Sequence, residues 1–480
     1  MRKKFIHDIS INTLQVLVVQ ACGLVIFYLL STRLEKTDFG ELNWILAVLM
    51  TGFSILSFGI EQISIRRIAA GRDAQETLSL YWTHVLISGL LFYAALLVLR
   101  FVIPSFHQSH ALLPLLGIGK LMLFFSMPFK QVANGLERFR SLLWMSVCSS
   151  LVRSLALILL SFFPAFSLET VVIVFVAGDT AELLLSWLIM RYGIKLPVRF
   201  SLNRQAYRAL LKESFPQLGV TIFSSALARF DWILLGLLAG NVIVANYSFA
   251  YKVFEVATLP LLVIAPVLIP RFTRWFQVPL TANRTNDLFT LLRIEMVIAS
   301  LFALMLNMLW VPVIDLLTQN KYGLVNQRTI LILSCSMPVL YFNNFLWTIN
   351  FARGRLNMIF LVFLVSFLLN VAGDFLLIPS FGAEGAAIAY LVAIVIQFLL
   401  YLQQTKLEGL LHNSLPVLIN PALAALAGTG ALQLIDNAWA AAFLAMLFYF
   451  ILLILTRQLR KTDLQALQTL SRSKGQPEPG

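Results

Sequence analysis

Charge is the scarcest property of this 480-residue chain: Asp, Glu, Lys and Arg make up 12% of it, against 59% hydrophobic residues. No water-facing surface can be built from so few charges, which excludes a soluble globular fold and makes lipid the solvent. Cysteine is almost absent. Cys22, Cys148 and Cys335 are far apart, without a C-x-x-C pair, and the five histidines form no cluster, so free thiols in apolar packing are expected and no metal site. No G-x-x-x-x-G-K-[ST] run occurs, which leaves the chain without an ATP site of that kind. No cofactor is implied.

What is present is a succession of apolar runs. Each ~20 apolar residues cover a ~30 Å hydrocarbon core at 1.5 Å per residue. About 14 such runs occur, at 9–31, 42–60, 78–103, 110–130, 141–163, 168–190, 213–239, 244–270, 287–312, 329–352, 356–378, 382–403, 415–435 and 438–456. Pro114 and Pro128 crowd the ends of one run, and Pro416 and Pro421 crowd another. Arg2, Lys3 and Lys4 precede a first run of full span length with no A-x-A-like site after it, the pattern of an uncleaved signal anchor. Lys and Arg concentrate in alternate loops, above all Arg191, Lys195, Arg199, Arg204, Arg208 and Lys212, so the positive-inside rule places both termini in the cytoplasm. The net charge of +13 is this loop bias, and nucleic acid is not an expected partner.

The expected fold is all-α, a polytopic transmembrane helical bundle. Residues 1–190 would form one six-span lobe and 213–403 a second, joined by the basic cytoplasmic linker 191–212. Residues 404–456 add two spans, and 457–480 form a polar, basic, disordered cytoplasmic tail. Faint self-similarity supports the division: Phe39-Gly40-Glu41-Leu42-Asn43 enters the second span and Ala245-Asn246-Tyr247-Ser248 the eighth, while Phe163-Pro164 and Ile378-Pro379 follow the fifth and eleventh. Two lobes of equal orientation imply a pseudo-two-fold axis along the membrane normal and a substrate site near the midplane.

The charges inside the spans carry the functional signal. Lys120, Arg153, Arg229 and Lys252 are basic; Asp179, Glu182, Asp231, Glu255, Glu295 and Asp374 are acidic. Each costs ~2.5 to 3.5 kcal/mol at a helix centre, so ten facing lipid would cost on the order of 30 kcal/mol, more than the ~5 to 15 that stabilises a domain. They must face protein or water. Asp179 and Glu182 share a helix face, as do Lys252 and Glu255, whereas Arg229 and Asp231 point apart. Interhelical ion pairs are one reading of the set. A water-filled cavity walled by Lys120, Arg153, Arg229 and Lys252 is the other, and it suits an anion such as a phosphate. Asp179, Glu182, Asp231, Glu255 and Asp374 would then balance those bases or couple transport to an ion, and the close pair Asp179–Glu182 is the most readily protonated.

Four passages resemble one family. Leu369-Asn370 with Leu377-Ile378-Pro379-Ser380-Phe381-Gly382-Ala383-Glu384-Gly385-Ala386-Ala387-Ile388-Ala389-Tyr390 looks like the signature of Wzx-type O-antigen flippases, in the multidrug/oligosaccharidyl-lipid/polysaccharide (MOP) exporter superfamily. Phe39-Gly40 with Phe58-Gly59-Ile60 and Arg66, Asn134-Gly135-Leu136-Glu137-Arg138-Phe139-Arg140, and Arg229-Phe230-Asp231-Trp232-Ile233-Leu234-Leu235-Gly236 with Asn246-Tyr247-Ser248-Phe249-Ala250-Tyr251 resemble further motifs in the same order. The last two spans lie outside the resemblance. Gly382, Gly385, Ala386 and Ala387 read as scaffold that lets helices approach, with Pro379 ending the preceding helix.

The resemblance implies a MATE-like bundle in the bacterial inner membrane. Through it an undecaprenyl-diphosphate-linked oligosaccharide repeat unit crosses from the cytoplasmic to the periplasmic leaflet for lipopolysaccharide or another surface polysaccharide. Membrane lipids, and the polymerase and chain-length regulator of the same pathway, are the implied partners; a proton or sodium gradient, or consumption of the product outside, is the implied energy source. Other readings stay open. A lipid II flippase shares the span count and an anionic lipid cargo. A multidrug exporter of the superfamily is expected to carry an acid in its first span, and 9–31 has none. A glycan polymerase or ligase is expected to have a large external catalytic loop, which this chain lacks; His84 sits in a span without an acidic neighbour, and His107 and His110 lie in a short loop.

Overall fold

The computed structural model describes residues 2–102, 112–164, 166–200, 203–261, 282–405 and 437–458, with single positions between 268 and 276 and at 419 and 423. Regular structure among the described residues is helical throughout. Nine of the described helices are long and apolar enough to cross a membrane. The expected span 415–435, the later part of 244–270, His107 and His110, and most of the tail lie outside the described residues.

By internal contacts the chain divides into Met1–Ala245 and Asn246–Gly480. The first unit holds α1 (Arg2–Arg33), α2 (Lys36–Leu56), α3 (Ile60–Ala69), α4 (Ala74–Val102), α5 (Leu113–Gly135), α6 (Phe139–Leu160), α7 (Leu168–Leu188) with a closing π turn, α8 (Arg204–Leu238) and the start of α9 (Asn241–Ala257). Here α7 packs on α5 and α6, α6 on α1, and α8 on α2 and α3. Ser167 starts α7 with a capping box, its hydroxyl accepting the Thr170 N–H while the Thr170 hydroxyl accepts the Ser167 N–H. Despite its prolines, α5 is continuous: Pro114 sits in the first turn, where no N–H is needed, and Pro128 is tolerated inside a helix walled by neighbours.

Where α2 meets α3 the backbone turns left-handed at two successive residues, Phe58 (φ 53°) and Gly59 (φ 69°). The break redirects α3, so that Arg67 donates to Glu213 of α8 at 2.8 Å and Arg66 pairs with the same carboxylate. Glycines set the fit of α2 against α8: a Cβ on Gly236 would overlap the Trp44 indole, whose Nε1 donates to the Ile233 carbonyl at 3.1 Å.

The second unit continues α9 and adds α10 (Ala282–Thr318), α11 (Gln327–Ala352), α12 (Leu356–Thr405) and α13 (Ala438–Leu455). Ala441, Ala445, Tyr449 and Leu453, spaced one turn apart along α13, pack on Val297, Leu304 and Met308 of α10. Although α12 reads as one 50-residue element, it is two antiparallel arms, because Gly382 leaves helical geometry at φ 54°, ψ −125°. A Cβ on Gly373 would lie 2.9 Å from the Ala389 Cβ, and one on Gly385 only 2.5 Å from the Leu377 carbonyl oxygen. Residues 16 apart touch, which a continuous helix would hold about 24 Å apart. Pro379 and the small residues Gly382, Gly385, Ala386 and Ala387 therefore end one arm and admit the other.

Candidate functional site

Two glycines bring charges from three helices together. Gly119 precedes Lys120 on α5, and a Cβ there would stand 3.1 Å from Asp179 Oδ2 and from the Val176 backbone of α7. Gly178 precedes Asp179 on α7, and a Cβ there would stand 2.8 Å from Arg153 Cγ of α6. With both side chains absent, α5 and α6 close on α7 and their bases reach a carboxylate that is wholly buried. Lys120 Nζ donates to Asp179 Oδ2 at 3.1 Å, Ser149 Oγ donates to Oδ1 at 3.1 Å, and Arg153 forms an ion pair with Oδ1. Both cations also lie over the Phe175 ring one turn earlier, at 5.4 Å for Lys120 Nζ and 4.6 Å for Arg153 Cζ.

One turn on, Glu182 accepts from Lys130 Nζ at 2.7 Å and from Ser126 Oγ at 3.3 Å. Asp179 is 0% exposed and Glu182 2%. These pairs sit where a dielectric far below that of water makes an unpaired charge costly.

Beside this cluster is a cavity of about 370 Å³. Lys130, Arg153 and Glu182 reach it from α5, α6 and α7; α1 adds Gln15 and Gln20, and α6 adds Ser146, Ser149 and Ser150. Val16, Val19 and Leu123 complete the lining, so its walls mix apolar side chains and neutral hydrogen-bonding groups with two cations and a carboxylate.

Lys120, Arg153, Asp179 and Glu182 therefore stand together with Lys130. Arg229 of α8 lies over the Trp232 ring at 4.9 Å, near enough to Lys120 for the two cations to repel, and makes no ion pair with any described residue. Asp231 is buried and its carboxylate accepts the Trp232 N–H at 2.9 Å. The remaining four belong to the second unit. Lys252 Nζ donates to Glu255 Oε2 at 2.6 Å in a partly exposed pair, and the buried Asp374 accepts from Asn370 Nδ2 at 3.1 Å. Glu295 of α10 is 3% exposed, and neither of its oxygens has a hydrogen-bond partner among the described residues.

Sequence reasoning passed over Lys130, which closes the expected span 110–130, and over Gln15 and Gln20. The visible signals were a lysine at a span end whose helix runs on to Gly135, and two glutamines within the apolar run that follows Thr13 in the first span. Among the described residues no group of His, Cys, Asp and Glu has the arrangement of a metal site.

Residues 5–276 match the family described as "Polysaccharide biosynthesis protein". No curated protein matches the chain. Among solved structures, the lipid II flippase MurJ in its inward closed conformation superposes with a TM-score of 0.71 at 15% identity, covering 93% of this chain and 99% of that one. An inward-facing multidrug resistance MATE family transporter of the MOP superfamily gives 0.67 at 15% identity, over 81% and 94%. A MOP superfamily transporter from Pyrococcus furiosus gives 0.54 at 14% identity, over 83% and 93%. At these identities the likeness is one of fold, and the fold is the MurJ- and MATE-like fold of the MOP superfamily.

Proposed function

The chain belongs to the polysaccharide biosynthesis protein family, and on that premise we propose that it is a flippase. It carries undecaprenyl-diphosphate-linked oligosaccharide repeat units from the cytoplasmic to the periplasmic leaflet of a bacterial inner membrane, by alternating access and without catalytic chemistry of its own. The observation that carries the reading is the cluster of Lys120, Lys130, Arg153, Asp179 and Glu182 beside a cavity of mixed polar and apolar lining in an apolar bundle. A bundle that only had to pack would keep such charges out, because neutral side chains of similar volume are often as stable as a buried ion pair.

The prenyl tail would stay in lipid while the polar head passes through protein. Moving a naked diphosphate through hydrocarbon is prohibitive, and counter-charges remove most of that cost. Arg229, the intramembrane base without a carboxylate partner among the described residues, is the foremost diphosphate contact, with Lys252 the base next most open to exchange through its partly exposed pair. The bias of Lys and Arg towards alternate loops supports a cytoplasmic placement of both termini. Protons or sodium ions exchanging at Asp231 or Asp374, or consumption of the product by a polymerase and its chain-length regulator, would supply direction.

The test is the fate of lipid-linked repeat units in cells lacking the protein, read leaflet by leaflet with a protected-sugar assay. Complete units accumulating on the cytoplasmic side support translocation; units that reach the periplasm and stay unpolymerised overturn it. A lipid II cargo is the second reading, favoured by the superposition on MurJ. Rescue of cells depleted of their lipid II flippase would select it.

A further inference from the structure

In the second unit, α9 ends at a break that its own backbone leaves unsatisfied. Pro260 has no N–H to give to the Val256 carbonyl. The Leu261 N–H turns to Thr258 O at 3.0 Å and not to Ala257 O, its acceptor in a continued helix. Tyr341 of α11 supplies the missing donor: its buried hydroxyl donates to Ala257 O at 2.8 Å.

Glu295 of α10 stands near that hydroxyl, close enough for the two side chains to interact electrostatically. It is 3% exposed, and neither of its oxygens has a hydrogen-bond partner among the described residues. Its own helix offers nothing polar: Leu291, Leu292 and Ala299, one turn away on the same face, are buried and apolar. Arg293, two residues before it, points elsewhere. The other titratable groups around it are engaged or distant. Tyr449 of α13 donates to the Val297 carbonyl at 2.8 Å, Glu255 of α9 takes Lys252, and Arg353 beyond α11 donates to Thr405 O. Arg328 and Cys335 of α11 lie at or past the level of Asn307, which pairs with Ser334 about 18 Å along α10 from Glu295.

A carboxylate so enclosed takes up a proton rather than stay charged. A metal cation beside it would need several oxygen ligands, and among the described residues no group of His, Cys, Asp and Glu has that arrangement. A proton needs none. We propose that Glu295 is a proton-binding site whose occupancy holds or frees the break at the end of α9. With the proton on, the acid is neutral and the Tyr341 O–H stays on the Ala257 carbonyl. When the proton passes to water, the carboxylate becomes the better acceptor, because a hydrogen bond to an ionised group is roughly twice as strong as a neutral one. Tyr341 then turns to Glu295, and Ala257 O loses its donor. That loosens α9 just after the turns that carry Lys252 and Glu255. The device is indifferent to the cargo and so goes beyond the flippase reading.

The experiment uses the full chain in lipid nanodiscs, titrated with alkali and read in two ways. Infrared difference spectra report the carbonyl stretch of a protonated carboxylic acid, and hydrogen exchange reports the backbone amides from Ala257 to Leu261. In the wild type an acid carbonyl band is expected at neutral pH that fades as alkali is added. Exchange from Ala257 to Leu261 should rise over the same interval, about fivefold beyond that of Glu295→Gln at the same pH, the worth of one hydrogen bond. Glu295→Gln should lack the band. Tyr341→Phe should keep the band and exchange fast at every pH.

An acid band that Glu295→Gln leaves intact, or a rise in exchange that this variant shares, would overturn the proposal. So would slow exchange in Tyr341→Phe. The cell assay is independent: accumulated cytoplasmic-leaflet units with no Glu295 band would leave the flippase standing and remove the proton site, and the reverse pair of results would do the opposite.

Discussion

The two units bury polar groups in opposite ways. In Met1–Ala245 the buried polarity is ionic: Asp179 alone gathers Lys120, Arg153 and Ser149 from two helices, and Glu182 takes Lys130. Among the described residues of Asn246–Gly480 it is mostly neutral, apart from Arg293, Glu295 and Asp374. Asn343 donates to Gln397 at 3.1 Å, Asn350 to Thr405 at 2.8 Å and Asn307 to Ser334, while Phe249 and Tyr322 stack at 4.2 Å. Neutral amide and hydroxyl contacts hold helices in register without a field that a ligand could exploit. Ion pairs do both, and each opened pair offers a charge to whatever enters. On this contrast the first unit holds the buried ion pairs among the described residues, while the buried charges of the second, Arg293, Glu295 and Asp374, are single residues on separate turns or helices.

Removing Asp179 should break the contrast most violently. Asp179→Ala leaves Lys120 and Arg153 buried without their carboxylate, and a loss of about 3–5 kcal/mol is expected, read as a fallen unfolding midpoint in detergent. Adding Lys120→Met to that background should recover part of the loss; no recovery would mean that Asp179 matters for packing and not for charge.

Gly178→Leu tests the same cluster through shape, since its side chain would collide with Arg153 and wedge α6 from α7. About 1–3 kcal/mol is expected for such overpacking, together with lost export at matched protein level. In the second unit, Asn350→Val should cost only about 0.6 kcal/mol, the average for a hydrogen bond between membrane helices. A loss as large as that of Asp179→Ala would end the distinction between the units. Glu295→Gln should be the mildest, with no loss of stability, because neither carboxylate oxygen has a hydrogen-bond partner to lose among the described residues and the amide removes a buried charge. A pronounced destabilisation there would place an ionic partner beside Glu295.

Much of this architecture was legible beforehand, for a physical reason. Runs of apolar residues long enough to span lipid have almost no structure available except a helix, so α4, α6, α7 and α11 fall close to their expected limits. The tip between 378 and 382 was visible too, because Pro379 and Gly382 cannot continue a helix smoothly. Partner choice was not legible. Whether Arg153 meets Asp179 or a ligand depends on how α6 and α7 are rotated about their axes, and that rotation is set by Gly119 and Gly178, two residues whose meaning appears only when the neighbouring helix is in place. The break at Phe58–Gly59 was hidden for a similar reason: Phe58 has no preference for positive φ, and tertiary packing imposes it.

The two-armed α12 has a consequence for how the chain is made. Its arms meet closely where Gly373 faces Ala389 and where Gly385 faces Leu377, and Glu384 puts a charge beside the turn at Gly382. Such an element can enter the bilayer as a preassembled pair, with Leu356 and Thr405 left on the side from which it came and only Pro379, Ser380, Phe381, Gly382 and their immediate neighbours carried across. For this stretch the turn that shapes the folded protein also sets the direction of the second arm, which returns towards the side where the first began.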